Sequence, residues 1–317
     1  MELPAAPFDH RLVIDSSDAV TANELPESVL IVGGGYIGVE FACIYSICGV
    51  RVTVVEALDG LLPGLDKDCG RFMERTLKKR GATVITGARM EEVHKDEGGV
   101  RVRLSNGTEL SAQRMLVCVG RRPDCTGLAI EKAGLQPGPK GQILTDGMMQ
   151  TAQPHIYAIG DVTGRVLLAH VASQEGVVAA SHAMGHPHPP IDYGKVPACV
   201  FGYPEIATVG MTEEQAKASA EQLVVKKFPL AARGKAQILG ETDGFVKMLA
   251  DGRTGLLLGV HICGPHASDL LGEAALALKL GCTAAQLAET IHTHPTMPEA
   301  IREAADGIAG YPINWRG

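Results

Sequence analysis

The chain has 317 residues, a length typical of about two domains. Its 45% hydrophobic and 21% charged residues are ordinary for a globular protein and exclude a disordered or fibrous chain. A net charge of −7 argues against nucleic acid as a partner. The eight scattered cysteines contain no C-x2-C pair, which excludes a zinc ribbon. With no cationic leader and no long apolar run, we expect a cytoplasmic protein with no membrane span.

The first part of the sequence predicts a βαβ unit. A short apolar strand at 28–32 runs into a glycine turn, a helix follows at about 36–48, and a β-branched strand lies at 51–56. Further elements are expected as a helix at 66–80, a strand at 82–85, a hairpin over 100–111 with Asn106-Gly107 at its turn, and a strand at 114–119. We therefore predict a dinucleotide-binding domain over 25–143.

The remainder divides at the proline-rich segment 186–190. Before it we expect a strand at 155–160 and a helix at 169–184. After it the pattern is that of an α+β domain, with strands at 196–201, 206–209, 223–228, 244–250 and 256–262 and helices at 212–220, 268–280 and 297–309. The predicted fold class is α/β, with a Rossmann-like domain first and a C-terminal α+β domain over 191–317.

The glycine turn carries the strongest cofactor signal. Gly33, Gly35 and Gly38 match G-x-G-x-x-G after a strand and before a helix, which is the context that a dinucleotide site needs. Glu56 ends the next strand, where a carboxylate accepts hydrogen bonds from ribose hydroxyls and repels a 2′-phosphate. The pattern favours NAD over NADP. The alternative is a glycine-rich turn without a ligand.

Four motifs occur together and in order: IVGGGYIGVEFA (31–42), VCVGRRP (117–123), YAIGDVTG (157–164) with LLAH (167–170), and HTHPTMPEA (292–300). In this combination the chain resembles the dihydrolipoamide dehydrogenases, which are flavin-dependent pyridine nucleotide–disulfide oxidoreductases. The resemblance covers essentially the whole chain. It implies an NAD-dependent enzyme that oxidises dihydrolipoamide through FAD and a redox disulfide, with a homodimer as its assembly and the acyltransferase component of a 2-oxo acid dehydrogenase complex as its partner.

The resemblance also assigns roles to residues. NAD would be bound by Gly33, Gly34, Gly35, Tyr36, Ile37, Gly38, Val39, Glu40 and Glu56, with Gly120 on the nicotinamide side. FAD would contact Asp161 and the backbone of Leu167, Leu168, Ala169 and His170. His294, oriented by Glu299, would be the catalytic acid–base residue acting on the active site of the partner subunit. Spacing alone favours the structural interpretation, in which Glu299 is a first-turn helix acid and the nearby prolines shape the helix entry.

The family pattern is incomplete in this sequence. A second G-x-G-x-x-G near the start and a G-G-x-C-x4-C-x-P pair are both missing, so we expect 1–24 to be a linker or remnant of an FAD-binding half and 144–190 to be the returning segment of that half. Cys43 and Cys48 have the redox spacing but fall within a helix, where five residues separate the Cα atoms by about 7.5 Å. We expect both to be unpaired thiols buried by the helix, and the isolated chain to be inactive.

Two other functions fit parts of the sequence. The chain is alternatively a catalytically incomplete module that binds NAD and dimerises, or a related flavin disulfide reductase for another substrate. The His292-x-His294 pair has no third ligand at a recognisable spacing, so no metal is expected there.

Overall fold

The structure is a computed structural model that describes residues 1–314. The N-terminal part of the chain forms a parallel sheet. Its strands are β1 (Val13–Ile14), β2 (Ser28–Val32), β3 (Arg51–Val55), β4 (Thr83–Ile85) and β8 (Arg114–Val117), arranged in the order β1-β8-β2-β3-β4. The strands are rich in Val, Ile and Leu because a parallel sheet in this fold is covered on its faces. Helices α1 (Ser16–Thr21), α2 (Tyr36–Ile47) and α3 (Lys67–Lys79) follow β1, β2 and β3. The predicted βαβ unit is confirmed.

An antiparallel meander interrupts this sheet between β4 and β8. It consists of β5 (Met90–Asp96), β6 (Gly99–Leu104) and β7 (Glu109–Ala112). The predicted hairpin is present, since β6 and β7 pair on either side of Asn106-Gly107 and Gly107 has a φ of +81°. Strand β8 then returns to the parallel sheet, where it lies between β1 and β2.

Residues 1–24, which we expected to form a linker or a remnant of an FAD-binding half, contain an edge strand and a short helix. Strand β1 pairs in parallel with β8, with Val13 opposite Met115. Helix α1 is closed at its start by a capping box between Asp15 and Asp18. A two-residue strand has no sequence periodicity of its own, so only its pairing with β8 identifies it.

Residues 121–196 form a compact unit of their own, separate from the unit made by residues 1–120 and the chain from 197 onward. This unit contains helix α4 (Ala169–Ala183) and short 3-10 turns at Ile130–Ala133, Gly160–Thr163 and Tyr193–Lys195. The strand predicted at 155–160 is wrong: Tyr157 makes a single bridge to Gln150, and Gly160 already begins a 3-10 turn. The other domain assignments stay predictions.

The C-terminal part is an antiparallel sheet packed against helices. Its strands lie in the order β11-β12-β13-β10-β9, and the elements in chain order are β9 (Ala198–Val200), β10 (Glu205–Gly210), α5 (Glu213–Ser219), β11 (Leu223–Pro229), α6 (Gly234–Leu239), β12 (Phe245–Asp251), β13 (Leu257–Gly264), α7 (Ala267–Leu280), α8 (Ala284–Glu289) and α9 (Glu299–Ala309). One core joins sheet and helices, with Val246, Ile262, Leu271 and Ile301 all buried in it. Within residues 1–314 no helix has the length and apolarity needed to cross a membrane.

Candidate functional site

The glycine turn lies between β2 and α2, and two of its glycines are required by the protein itself. Gly33 has a φ of +109°, and a Cβ at this position would lie 2.3 Å from the carbonyl oxygen of Cys118. A Cβ on Gly38 would lie 1.9 Å from the carbonyl oxygen of Gly33. The first and third glycines therefore allow the chain to turn and the helix to approach the strand closely.

The second glycine of the motif has a different environment. Gly35 caps α2 with a φ of −76°, which any residue adopts, and a Cβ there would meet no protein atom within 4 Å. Neither backbone strain nor packing explains why this residue is glycine. The phosphates of a dinucleotide bind close to the backbone at the N-terminus of a helix, and they need the open space that a glycine leaves there.

Glu56 anchors the turn from the end of the neighbouring strand. Its side chain is buried; Oε2 accepts a hydrogen bond from the Gly34 amide at 2.6 Å and Oε1 accepts one from the Leu58 amide at 2.8 Å. A carboxylate has about four acceptor positions, so each oxygen keeps capacity for a hydroxyl donor. The residues next along the chain, Ala57, Leu58 and Asp59, bring no positive charge for a 2′-phosphate.

The other residues assigned to NAD lie around this turn. Tyr36 and Ile37 form the first turn of α2, and Val39 is buried behind them. Glu40 is directed elsewhere, because its Oε1 accepts from the Phe201 amide at 2.7 Å, and burial raises its pKa despite that hydrogen bond. Gly120 follows β8 in an exposed position with a φ of +115°. Its strand ends at the same edge of the sheet as β2 and β3.

In the unit 121–196, the residues assigned to FAD are solvent-accessible. Asp161 is exposed in the 3-10 turn Gly160–Thr163, and its Oδ2 lies 3.8 Å from Arg121 Nη2. The segment Leu167–His170 contains the N-cap and first residues of α4. A fully buried carboxylate that sequence reasoning missed supports the turn: Glu175 accepts from the Gly160 amide at 2.6 Å and from the Tyr193 hydroxyl at 2.7 Å.

The structure brings His294 and Glu299 together. Nδ1 of His294 lies 3.0 Å from Oε1 of Glu299, across the turn that precedes α9, and the other oxygen of Glu299 accepts from the Thr296 amide at 2.9 Å. The His294 side chain is 72% exposed, whereas that of Glu299 is 14% exposed. The arrangement orients the imidazole through Nδ1 and leaves Nε2 facing outward.

The buried side chain of Arg233, which sequence reasoning also missed, lies next to Glu299 of this pair. Arg233 Nη1 lies 3.0 Å from Glu303 Oε1 and 3.9 Å from Glu299 Oε1. Burial raises the pKa of Glu299, but the Thr296 amide, His294 and Arg233 together outweigh it, and the net effect is a lowered pKa. Glu299 is thus held as a carboxylate beside the imidazole.

The second histidine of the motif is engaged on both sides. His292 Nε2 lies 2.8 Å from Glu273 Oε1, and its Nδ1 lies 2.9 Å from the carbonyl oxygen of Thr290. With both ring nitrogens occupied, His292 cannot exchange a proton with a substrate in this arrangement, whereas His294 can. Among residues 1–314 no cluster of histidine, cysteine and acidic side chains is suited to a metal.

The cysteines at the redox spacing do not meet. Cys43 is buried with its Sγ 3.7 Å from the Met73 sulfur, while Cys48 is exposed at the end of α2. Both thiols are unpaired, as expected, but the prediction of a buried thiol is wrong for Cys48, because this residue is the C-cap of the helix and is exposed.

Comparison with known proteins identifies the family. Residues 1–176 match the pyridine nucleotide-disulphide oxidoreductase model, and residues 196–305 match the dimerisation domain of the same family. A dihydrolipoyl dehydrogenase of Bacillus subtilis is 43% identical over 99% of this chain and 67% of its own length. That of Halobacterium salinarum is 41% identical with the same coverage.

Solved structures agree with the sequence relatives. LpdA from Mycobacterium tuberculosis superposes with a TM-score of 0.89 at 33% identity, over 96% of this chain and 66% of that one. The HOCl-induced flavoprotein disulfide reductase RclA from Escherichia coli gives a TM-score of 0.87 at 30% identity, over 93% of this chain and 68% of that one. The chain thus spans about two thirds of the length of its relatives. It belongs to the pyridine nucleotide-disulphide oxidoreductases, an enzyme family of NAD-dependent flavoproteins, and groups there with the dihydrolipoyl dehydrogenases.

Proposed function

We propose that this chain binds NAD at the glycine turn and serves the oxidation of dihydrolipoamide to lipoamide, with the electrons passing through FAD to NAD⁺. The observation that carries the proposal is Gly35, whose missing Cβ faces open space where no protein atom requires it. The pyrophosphate would lie there against the first amides of α2, which carry the positive end of the helix dipole. Glu56 would accept from the ribose hydroxyls and disfavour a 2′-phosphate.

A single added methyl group tests this site. Gly35→Ala places a Cβ in the proposed pyrophosphate position, so we expect NADH to bind at least about tenfold more weakly, a loss of about 1.4 kcal/mol. The φ of Gly35 suits alanine, and the weaker N-cap costs about 1 kcal/mol at most. NADH fluorescence titration measures the affinity, and thermal unfolding monitors the fold.

Gly60→Ala is the matched control, because its Cβ would also enter open space but outside the turn. It should bind NADH as the wild type does. An unchanged NADH affinity in Gly35→Ala would remove the glycine turn as the NAD site.

The FAD assignment rests on available polar groups. Asp161 is exposed and forms a long ion pair of 3.8 Å with Arg121, so its carboxylate can accept hydrogen bonds from ribityl hydroxyls. Helix α4 begins here with Leu168 as its N-cap, so this segment carries the positive end of a helix dipole. FAD would supply the two-electron redox chemistry that links a dithiol to NAD⁺. The residues of this chain position the two cofactors and move protons.

His294 is proposed as the acid–base residue, with Nε2 accepting the proton of a dihydrolipoamide thiol. Glu299 keeps Nδ1 protonated and the ring oriented, which makes Nε2 the free base. In an enzyme that contains both FAD and the redox cysteine pair of the family, His294→Gln should lower turnover of dihydrolipoamide by about 10²–10⁴-fold. NADH oxidation by a one-electron acceptor involves no thiol proton and should be retained, whereas a similar loss in both reactions would contradict a proton-transfer role.

A homodimer is proposed as the assembly in which His294 serves the partner subunit. The dimerisation-domain match covers residues 196–305, and large apolar side chains are exposed there: Leu276 at 60%, Leu280 at 69% and Ile291 at 92%. Side chains of this kind suit an interface. Ile291→Arg should lower the sedimentation coefficient from the value of a dimer to that of a monomer. An unaltered dimer would place the interface elsewhere. The acyltransferase component of a 2-oxo acid dehydrogenase complex is the proposed carrier of the dihydrolipoamide.

A further inference from the structure

We propose that Arg233 is a positioning residue for the acid–base pair: it keeps Glu299 ionised and so determines which ring nitrogen of His294 carries the proton. The inference rests on the proposed function of His294. Arg233 follows the 3-10 turn Leu230–Ala232 and caps α6, far from His294 in sequence. Its guanidinium nevertheless reaches both Glu299 and Glu303 at the start of α9.

Burial makes this charge effective. The Arg233 side chain is 8% exposed and that of Glu303 is 5% exposed, so water screens the guanidinium only weakly. Arginine stays protonated at all pH values at which the protein is folded, and it is a constant positive neighbour for Glu299. Its Nε is buried without a hydrogen-bond partner among residues 1–314, and the guanidinium contacts the carboxylates of α9 through Nη1 while its carbon lies 5.9 Å from the centroid of the Phe228 ring.

The two carboxylates share one guanidinium nitrogen. Glu303 lies closer to Nη1 than Glu299 does, at 3.0 Å against 3.9 Å, and Glu303 also accepts from the Asn314 amide at 3.2 Å. Glu299 is approached by the Thr296 amide and His294 on its other sides. Arg233 therefore acts on Glu299 mainly through its charge, whereas it binds Glu303 directly.

The charge on Glu299 decides the tautomer of His294. An ionised carboxylate only accepts, so a neutral imidazole 3.0 Å away must donate from Nδ1 and leave Nε2 unprotonated. A protonated Glu299 could itself donate to Nδ1, and the ring proton would then lie on Nε2. In that form the exposed nitrogen could not take a proton from a thiol. A distant arginine thus controls the basic nitrogen of the site.

The test is the protonation pattern of the pair, which needs neither cofactor nor turnover. The chain is labelled with ¹⁵N-histidine and ¹³C-glutamate, and Arg233→Met is compared with the wild type. We expect the titration midpoint of the Glu299 carboxyl to rise by about one to three pH units, and the Nδ1–H tautomer of neutral His294 to lose population over the pH range in which Glu299 takes up its proton. Arg233→Lys keeps a charge and should restore most of the wild-type pattern.

Two variants separate this role from a general structural one. Arg302→Met removes an arginine of α9 itself, whose Nε lies 3.5 Å from Asp306, and should leave His294 and Glu299 unchanged. If Arg233→Met does not fold, the double variant Arg233→Met, Glu303→Gln removes the cation without leaving Glu303 as an unpaired buried charge. It should show the same change at Glu299.

The proposal is overturned if a folded variant without Arg233 keeps the wild-type tautomer of His294 and the wild-type midpoint of Glu299. Its failure is distinguishable from failure of the proposed function. If the tautomer follows Arg233 but His294→Gln keeps full dihydrolipoamide turnover, the positioning role stands and the catalytic assignment falls.

Discussion

Lys247 lies at the centre of a buried ionic cluster, and we predict that its removal strongly destabilises the protein. Its side chain is 3% exposed on β12, and its ammonium contacts Asp66 at 2.7 Å, Glu213 at 2.7 Å and Asp68 at 3.1 Å. Asp66 and Asp68 begin α3, and Glu213 begins α5. The cluster therefore fastens the helix after β3 to the C-terminal sheet.

The magnitude follows from burial and charge. One ion pair at 2.7 Å corresponds to about 6 kcal/mol at an effective dielectric constant of about 20, and desolvation offsets several kcal/mol of this for each ion. Desolvation lowers the pKa of Lys247, yet its hydrogen bonds to Asp66 and Glu213 outweigh this and leave the pKa raised. Lys247→Met would leave Asp66, which is 1% exposed, as a buried charge without its cation, and should lower the free energy of unfolding by about 3–5 kcal/mol.

Urea unfolding followed by circular dichroism measures this loss, with the slope of the transition expected to stay constant. Burial raises the pKa of Asp66, but the hydrogen bonds from Lys247 and from backbone amides outweigh burial, so the net pKa is lowered. The ionised Asp66 therefore stabilises the folded state at pH values above its unfolded pKa of about 4. This stabilisation is lost as the pH falls through the lower pKa of the folded state. The difference between wild type and Lys247→Met should therefore be largest near pH 7 and shrink below about pH 5.

Lys67→Met provides the control, because Lys67 pairs with Glu214 between the same two helices but is 66% exposed. We expect it to cost less than about 1 kcal/mol. A Lys247→Met variant that loses no more than Lys67→Met, with the same slope and no pH dependence, would refute the reasoning.

Two further predictions concern stability. Gly38→Ala should lower the free energy of unfolding in urea by about 3 kcal/mol, because its Cβ would lie 1.9 Å from the Gly33 carbonyl oxygen. Gly272→Ala in α7 places its Cβ in open space and should raise the free energy of unfolding by up to about 1 kcal/mol. Equal effects of the two substitutions would contradict the packing argument. Thr283→Ala removes the capping box of α8 and should cost about 1 kcal/mol, with faster hydrogen exchange confined to α8; unchanged exchange there would argue against the cap.

Much of the fold could be predicted because the pattern and the packing agree. The run SVLIV, the glycine turn and the run RVTVV specify β2, the start of α2 and β3, and the structure has all three. Helix α8 was missed although Thr283 and Gln286 form a T-x-x-Q capping box, a signal that could have found it. The segment 155–160 has strand composition, but within residues 121–196 it meets only a single bridging residue. A segment with strand composition forms a regular strand only where a neighbouring strand is available for pairing.

The candidate sites divide in the same way. Gly33, Gly35, Gly38 and Glu56 are close in sequence and follow a local motif, so their grouping could be predicted. Arg233 and Glu175 carry no such signal. Each is a buried charged residue whose partner is distant along the chain, and only tertiary packing brings Arg233 beside Glu299 and the Gly160 amide onto Glu175.

The most direct test of the central claim is a comparison of NADH and NADPH binding by the purified chain at one ionic strength. Because Glu56 is buried against the glycine turn as a bidentate acceptor, NADH should bind at least about tenfold more tightly than NADPH, and Glu56→Gln should reduce that preference. Equal affinity for both nucleotides, or a preference that Glu56→Gln leaves unchanged, would contradict the account.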